Sequence, residues 1–309
     1  MRYYSGQGVD KVNLLEAFKW FLKAAKDGDV LAESQLAFCY YNGEGVEKDQ
    51  REAVKWLRKA ADQGDATAES NLGNCYSSGK GVEKDEREAV KWFHKAAEQG
   101  ETHAESELGV RYYNGQGVEK DQSEAARWFR KAADQGDAIA ERNLGICYYT
   151  SKIGKTVGLE EDQSEAVKWF RKAAEQGDTT AQCNLGICYY KGEGVEINQF
   201  EAVKWFRKAA DLGNARSQYY LGICAESGFG VEKDQSAAIV AVKWFRKAAE
   251  QGNPYAKVIL EQIAAHASIN SGKGTNLATV FIIPTSKDPL YDRANPDVPE
   301  QVVLPTPQQ

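Results

Sequence analysis

Six cysteines and three histidines are the side chains here whose types could carry redox, metal or nucleophilic chemistry. Cys39, Cys75, Cys147, Cys188 and Cys224 recur at one position of a repeated pattern, where Arg111 stands once instead. Equivalent positions on packed neighbouring helices lie about 8–10 Å apart, whereas a disulfide needs Cα atoms within roughly 7 Å. Pairing along this series is not expected. Cys183 and Cys188, five residues apart on one helix, are also poorly placed. The thiols therefore read as small buried apolar groups in a reducing compartment, with metal or redox use as the competing reading. His94, His103 and His266 have no neighbours that complete a ligand set or a triad, and read as helix-surface or turn residues. The "GEG", "GKG" and "GQG" triplets have no preceding strand and no third glycine, and "SGKGT" (271–275) lacks phosphate-loop spacing; all read as turns. The expectation is no catalytic residue, no cofactor and no metal.

A basic triplet recurs around the tryptophans, for example Lys55, Arg58 and Lys59, then Lys168, Arg171 and Lys172. It could be a phosphate-binding stripe. Glu52 and Asp62 at helical spacing, and the helix dipole, favour a solvated, internally paired face.

What positions these residues is a repeat. The tryptophans stand at 20, 56, 92, 128, 169, 205 and 244, with spacings of 36, 36, 36, 41, 36 and 39. A fixed period in this range predicts stacked units, each unable to bury its own apolar face. The longer spacings are insertions, one a loop ("SKIGKTVGLEEDQ", 151–163) and one that lengthens a helix ("QSAAIVAVKW"). Each period reads as two helices. The tryptophan-bearing helix B opens with an Asp or Asn followed three residues later by Glu, as in Asp85/Glu88, which predicts a reciprocal capping box. Its apolar residues, such as Ala53, Trp56, Leu57, Ala60 and Ala61, share one face, and a glycine such as Gly64 ends it. The other helix, A, carries an interior glycine (Gly73, Gly109, Gly145, Gly186, Gly222). Each costs about 1 kcal/mol relative to alanine, which predicts close approach of a bulky side chain, the tryptophan being the candidate. Burial of seven indoles between repeats is the expected source of the core.

The 309 residues are 27 % charged and 42 % apolar, with a net charge of −6, which gives no reason to expect nucleic acid as partner. No apolar run approaches the roughly 20 residues of a membrane helix, so no membrane insertion is expected. "MRYYSGQGVD" lacks an apolar signal core, so the chain as given is expected to be cytoplasmic, with secretion left open if the natural N-terminus lies upstream.

The pattern A-x-x-x-L-G-x-x-Y-x-x-G-x-G-V, then D-x-x-E-A-x-K-W-x-x-K-A-A-x-x-G, resembles the Sel-one-like repeat (SLR), a relative of the tetratricopeptide repeats, over residues 1–266. The resemblance implies an all-α, right-handed α/α superhelical solenoid serving as a scaffold or adaptor in protein complexes. Some bacterial members are exported, which raises a cell-envelope assembly role. A cysteine-rich branch is linked to β-lactam binding, which raises a hydrolase. That branch carries paired cysteines in each repeat and this chain does not, so the activity is not carried over. The expected organisation is a partial repeat at 1–28, six repeats over 29–252, a capping helix at 253–269, where Asn253 and Pro254 suit a helix start, and a proline-containing disordered tail at 270–309. The tail's one apolar cluster, "TVFIIP" (279–284), is either a docking segment or a stray patch.

Helix A varies at three positions spaced i, i+3, i+7, which share one stripe. They read Gln35, Phe38, Asn42; Asn71, Asn74, Ser78; Glu107, Val110, Asn114; Asn143, Ile146, Thr150; Asn184, Ile187, Lys191; and Tyr220, Ile223, Ser227. In related solenoids helix A lines the inner curve. The expectation is a concave groove that binds a peptide or protein through amides and apolar contacts, the alternative being unconstrained surface.

Overall fold

The computed structural model describes residues 13–150, 163–230 and 235–271. The expectations for the first twelve residues, for the 151–162 insertion and for the tail beyond Ser271 lie outside them. The described residues form fourteen α-helices and no strand. They are α1 (Leu14–Lys26), α2 (Val30–Asn42), α3 (Gln50–Ala61), α4 (Ala66–Ser78), α5 (Glu86–Glu98), α6 (Thr102–Asn114) and α7 (Gln122–Asp134). Next come α8 (Ala138–Thr150), α9 (Gln163–Glu175), α10 (Thr179–Lys191), α11 (Gln199–Asp211), α12 (Ala215–Ser227), α13 (Gln235–Glu250) and α14 (Pro254–Ser271). Even-numbered helices are of type A and odd-numbered ones of type B. Consecutive helices pack on one another from α1 to α7 in the first unit and from α9 to α14 in the second, which is the all-α solenoid architecture. The chain divides into two compact units inside α8, after Ala140, and each is described by itself.

Local chemistry sets the helix ends. Asp85 accepts from the amides of Arg87 (2.9 Å) and Glu88 (3.0 Å) at the start of α5. The reciprocal half of the expected box is not made. The Asp85 amide donates to the Tyr76 carbonyl at 2.9 Å, which frees Glu88 to pair with Lys91 at 2.7 Å. The same substitution of partners holds at Asp49, where the amide reaches Tyr40 O and Glu52 pairs with Lys55. The A helices end on left-handed glycines such as Gly79, and the B helices are followed by others such as Gly64. The insertion before Trp244 makes α13 sixteen residues long, against thirteen for α11.

In the first unit, Trp92 of α5 is 5 % exposed and packs on Val54, Leu57, Ala60 and Ala61 of α3. Trp128 of α7 lies in the same way against Ala89, Val90 and Phe93 of α5. Each of these two tryptophans thus fastens its own helix B to the one before. Trp169 and Trp205 of the second unit are equally buried. Not all seven are: Trp20 is 52 % exposed, and Trp56 and Trp244 are partly buried.

The bulky group over the helix-A glycine is not the tryptophan but the phenylalanine that follows it. A Cβ at Gly73 would meet the Phe93 ring at 2.8 Å, and one at Gly145 would meet Phe170 at 2.6 Å. Phe93, Phe129, Phe170, Phe206 and Phe245 are fully buried. The indole must face the previous helix B, so the next residue, 100° around the helix, is the one aimed at helix A. One repeat shows the complementary solution: α3 has the smaller Leu57, and α2 has Ala37 where the others have glycine.

Candidate partner-binding surface

The basic triplet is internally committed. In the first unit Lys55 pairs with Glu52 at 2.7 Å, Arg58 donates to the Tyr76 hydroxyl, and Lys59 reaches Glu33 at 2.6 Å. A lysine three residues after the tryptophan sits over the indole, at 3.9 Å for Lys95 on Trp92 and 4.0 Å for Lys131 on Trp128. In the second unit Lys172 on Trp169 and Lys208 on Trp205 do the same. Each such contact contributes about 0.5–1 kcal/mol at an exposed site. The spacing that suggested an anion stripe is explained by these pairs.

All six cysteines, Cys183 included, are buried and none is joined in a disulfide. Burial pushes Cys39 and Cys75 up to about 11, and Cys147, Cys188 and Cys224 up to about 12. A thiol so far above neutrality is a poor nucleophile. His94 faces the Tyr112 hydroxyl at 3.1 Å and the edge of Trp128, and burial lowers its pKa. His103 faces the Asn74 amide at 3.0 Å.

A second recurring polar feature escaped the sequence reading. An acid at the fourth position of helix A is buried: Glu33, Glu69, Glu105 and Glu141. A glutamine at the end of helix B in the same repeat donates to it, as Gln63 to Glu33 (2.7 Å), Gln99 to Glu69 (2.8 Å), Gln135 to Glu105 (2.8 Å) and Gln176 to Glu141 (2.8 Å). Where the donor position holds Leu212, the acid is replaced by Gln182, which turns to the Ala174 carbonyl at 3.1 Å. In the next repeat Gln251 keeps the donor role, to the amide of Gln218 at 2.7 Å, so the signal that could have revealed this was the glutamine recurring 30–35 residues after the helix-A acid.

The stripe expected to line a groove is open only in part. In α2 and α4 of the first unit, Asn42 and Asn71 are exposed, Gln35 and Asn74 are half-buried, and Phe38 is 38 % exposed. Leu31 and Thr67, one turn earlier on the same faces, are exposed too, so the stripe is longer than the sequence reading placed it. Ser78, Asn114 and Ser227 are exposed at helix ends, and Thr150 and Lys191 are half-buried.

The rest of the stripe is buried, contrary to its expected role as open lining. Glu107 and Val110 are buried in α6, where Glu107 pairs with Arg111 at 3.0 Å. Arg111 is itself buried, donates to Ser77 at 2.8 Å and lies over the Phe93 ring. Burial holds the Glu107 carboxyl above its ordinary range against the opposing pull of Arg111. In the second unit Asn143, Ile146, Asn184, Ile187, Tyr220 and Ile223 are all buried. Asn143 accepts from Arg142 at 3.3 Å. Asn184 and Ile187 line a cavity of about 10 Å³ with Tyr149, Phe170 and Arg216. Tyr220 stacks on Phe206, with ring centres 4.9 Å apart. Tyr149, Phe170 and Arg216, from the flanking helices, close over Asn184 and Ile187.

Among the described residues no three of His, Cys, Asp and Glu gather as a metal-ion group, and no helix is long and apolar enough to cross a membrane. What the geometry defines is an all-α solenoid of helical hairpins with an open helix-A surface in its first unit. The chain belongs to the Sel1 repeat family, whose model matches residues 1–29, 30–65, 66–101, 102–137, 138–178, 179–214 and 215–253. Proteins of this family generally act as protein–protein interaction scaffolds, and the fold is typically non-catalytic. The chain is similar to c5321, a protective antigen of uropathogenic Escherichia coli strains with an SLR fold. Identity is 36 % and TM-score 0.76, over 89 % of this chain and 55 % of that one, so this chain spans little more than half of that relative. It is also similar to a Sel1 repeat protein from Oxalobacter formigenes, at 32 % identity and TM-score 0.67, over 80 % of this chain and 93 % of the other. Comparison with curated proteins gave no significant match.

Proposed function

We propose that the protein is a non-catalytic scaffold that holds a partner protein or peptide on the α2–α4 face of its first unit. The observation that carries this is the exposed combination of Leu31 and Phe38 with Asn42, Thr67 and Asn71, beside the half-buried Gln35. Apolar anchors beside amides and a hydroxyl are what an extended segment or an amphipathic helix needs: apolar contact for affinity, amide bonds for register. The buried members of the stripe support the fold and not the contact. Six buried cysteines outside any disulfide fit work in a reducing compartment, and the cytoplasm is the proposed location.

The test is affinity capture from the native lysate with the wild-type chain and with Leu31→Asp/Phe38→Asp, both first shown to share one thermal midpoint. Partners recovered by the wild type and lost with the variant support the reading. Recovery of the same partners by both baits rejects it.

A further inference from the structure

The outer face of the second unit carries an apolar patch that the repeat pattern does not require. Five residues before the tryptophan, the helix-B position holds Arg51, Arg87, Ser123 and Ser164 in four successive copies. In the next two it holds Phe200 and Ile239, which are 78 % and 71 % exposed. Ile197 and Val240 beside them are exposed as well. All four lie at the N-terminal ends of α11 and α13, the two B helices that flank α12. Those ends are close together. The Gly230 amide, five residues before α13, donates to the Gln199 side chain at the start of α11 at 3.1 Å. A Cβ on Gly230 would stand 2.6 Å from the Gln199 carbonyl. The first copy, at the start of the described residues, holds an exposed Leu15 at this position, and a concentrated apolar surface after four polar copies marks a contact.

The chain itself brings a matching segment to this end of the unit. Helix α14 packs on α13 and begins where α12 begins, with the Tyr255 and Tyr219 rings 6.0 Å apart. It therefore runs alongside α12 and antiparallel to α11 and α13, toward their N-terminal ends. At eighteen residues it extends past the thirteen of α12. Its last residue, Ser271, is thus delivered to the level of Phe200 and Ile239. Thr279 follows eight residues later and opens "TVFIIP", four consecutive large apolar residues closed by a proline. Eight residues reach at most about 27 Å. The path from α14 past α13 to α11 is two helix spacings, about 16–20 Å.

We propose that residues 279–284 of this chain seat on the Phe200–Ile239 patch in an intramolecular contact that covers the outer face of the last two B helices. The surface is separate from the α2–α4 face and does not depend on its role. The test is hydrogen exchange by mass spectrometry on three full-length chains: wild type, Phe200→Ser/Ile239→Ser and Phe281→Asp/Ile282→Asp. The first pair of changes installs a residue that equivalent positions already carry, so folding is preserved. Expected in the wild type is about tenfold slower exchange at 279–284 than in a free peptide of that sequence. Either double variant should abolish the protection. Unprotected 279–284 amides in the wild type, or protection that survives Phe200→Ser/Ile239→Ser, would overturn the proposal. So would a dimer in sedimentation velocity that dissociates with the patch variant but not with the tail variant, since the patch would then be seating a second copy.

Discussion

Phe38 and Ile187 occupy the same position of the repeat, yet one is 38 % exposed and the other 3 %. The backbone around them is equivalent: a thirteen-residue helix capped by an aspartate and closed by a left-handed glycine. The difference lies in the neighbours. On α4, the next A helix after α2, the residue one turn before the stripe is Thr67, whereas on α12, the next A helix after α10, the same position is Arg216. Arg216 and Tyr149 close a cavity over Ile187, and threonine is too short to do so over Phe38. A repeat therefore fixes where a side chain points, but the size of residues one period away decides whether that direction is core or surface.

Charge placed at the two positions is the strongest way to break this comparison. Ile187→Asp should cost about 3 kcal/mol, because it removes buried apolar packing and desolvates a carboxylate in a closed site, a loss that Arg216 in the lining offsets only in part. Phe38→Asp should cost about 1 kcal/mol or less. Urea denaturation measures both, and equal losses would mean that the two stripes are equivalent after all. Packing between A and B helices gives the next effect. Leu57→Phe alone should cost about 1–3 kcal/mol through overpacking against Ala37. Adding Ala37→Gly should recover most of it, short of the roughly 1 kcal/mol that a helical glycine costs. A double-mutant cycle without coupling would show that glycine and phenylalanine are not a matched pair.

The buried acids produce a smaller, pH-dependent effect. Burial holds the Glu105 carboxyl above its ordinary 4.5, while its bond from Gln135 opposes the shift. A raised carboxyl favours the protonated form in the folded state. Its contribution to stability is complete below the unfolded value and is lost as pH rises through the folded one. Glu105→Gln should therefore remove that decline, making the variant more stable than wild type at pH 7 and level with it near pH 4. Wild type and variant with parallel stability–pH curves would contradict the assignment. Thiol reactivity is the finest distinction. Cys39 and Cys75, at about 11, should label ahead of Cys147, Cys188 and Cys224, at about 12, when the folded chain is treated with a disulfide reagent at pH 8. Simultaneous labelling would point to global unfolding in place of local access.

The fold was legible because its signals repeat. The tryptophan ruler, the Asp or Asn caps and the terminal glycines each recur often enough to be read without knowing their partners. The site was legible only in direction. Spacing put Asn71 and Asn184 on one stripe, but burial depends on Thr67 and Arg216 on the next helix, which spacing along one helix does not weigh. Assigning the glycine notch to tryptophan failed for a related reason. Two large side chains adjacent in sequence point to different neighbours, and the indole was already committed to the preceding helix B. Phe200 and Ile239 are illegible to a periodic reading because they depart from the residues that the four preceding copies carry at the same position.

The glutamine that closes onto the buried acid lies within the same period as its target. Copying one whole period, cut at the helix-A boundary, therefore transmits both halves of the bond together and strands no acid in the interior. A cut made between the two helices would part them. The lineage of such an array can lengthen by whole modules; in one, Gln182 and Leu212 have replaced both halves, and in the next an amide, Gln218, stands for the acid and still accepts from Gln251.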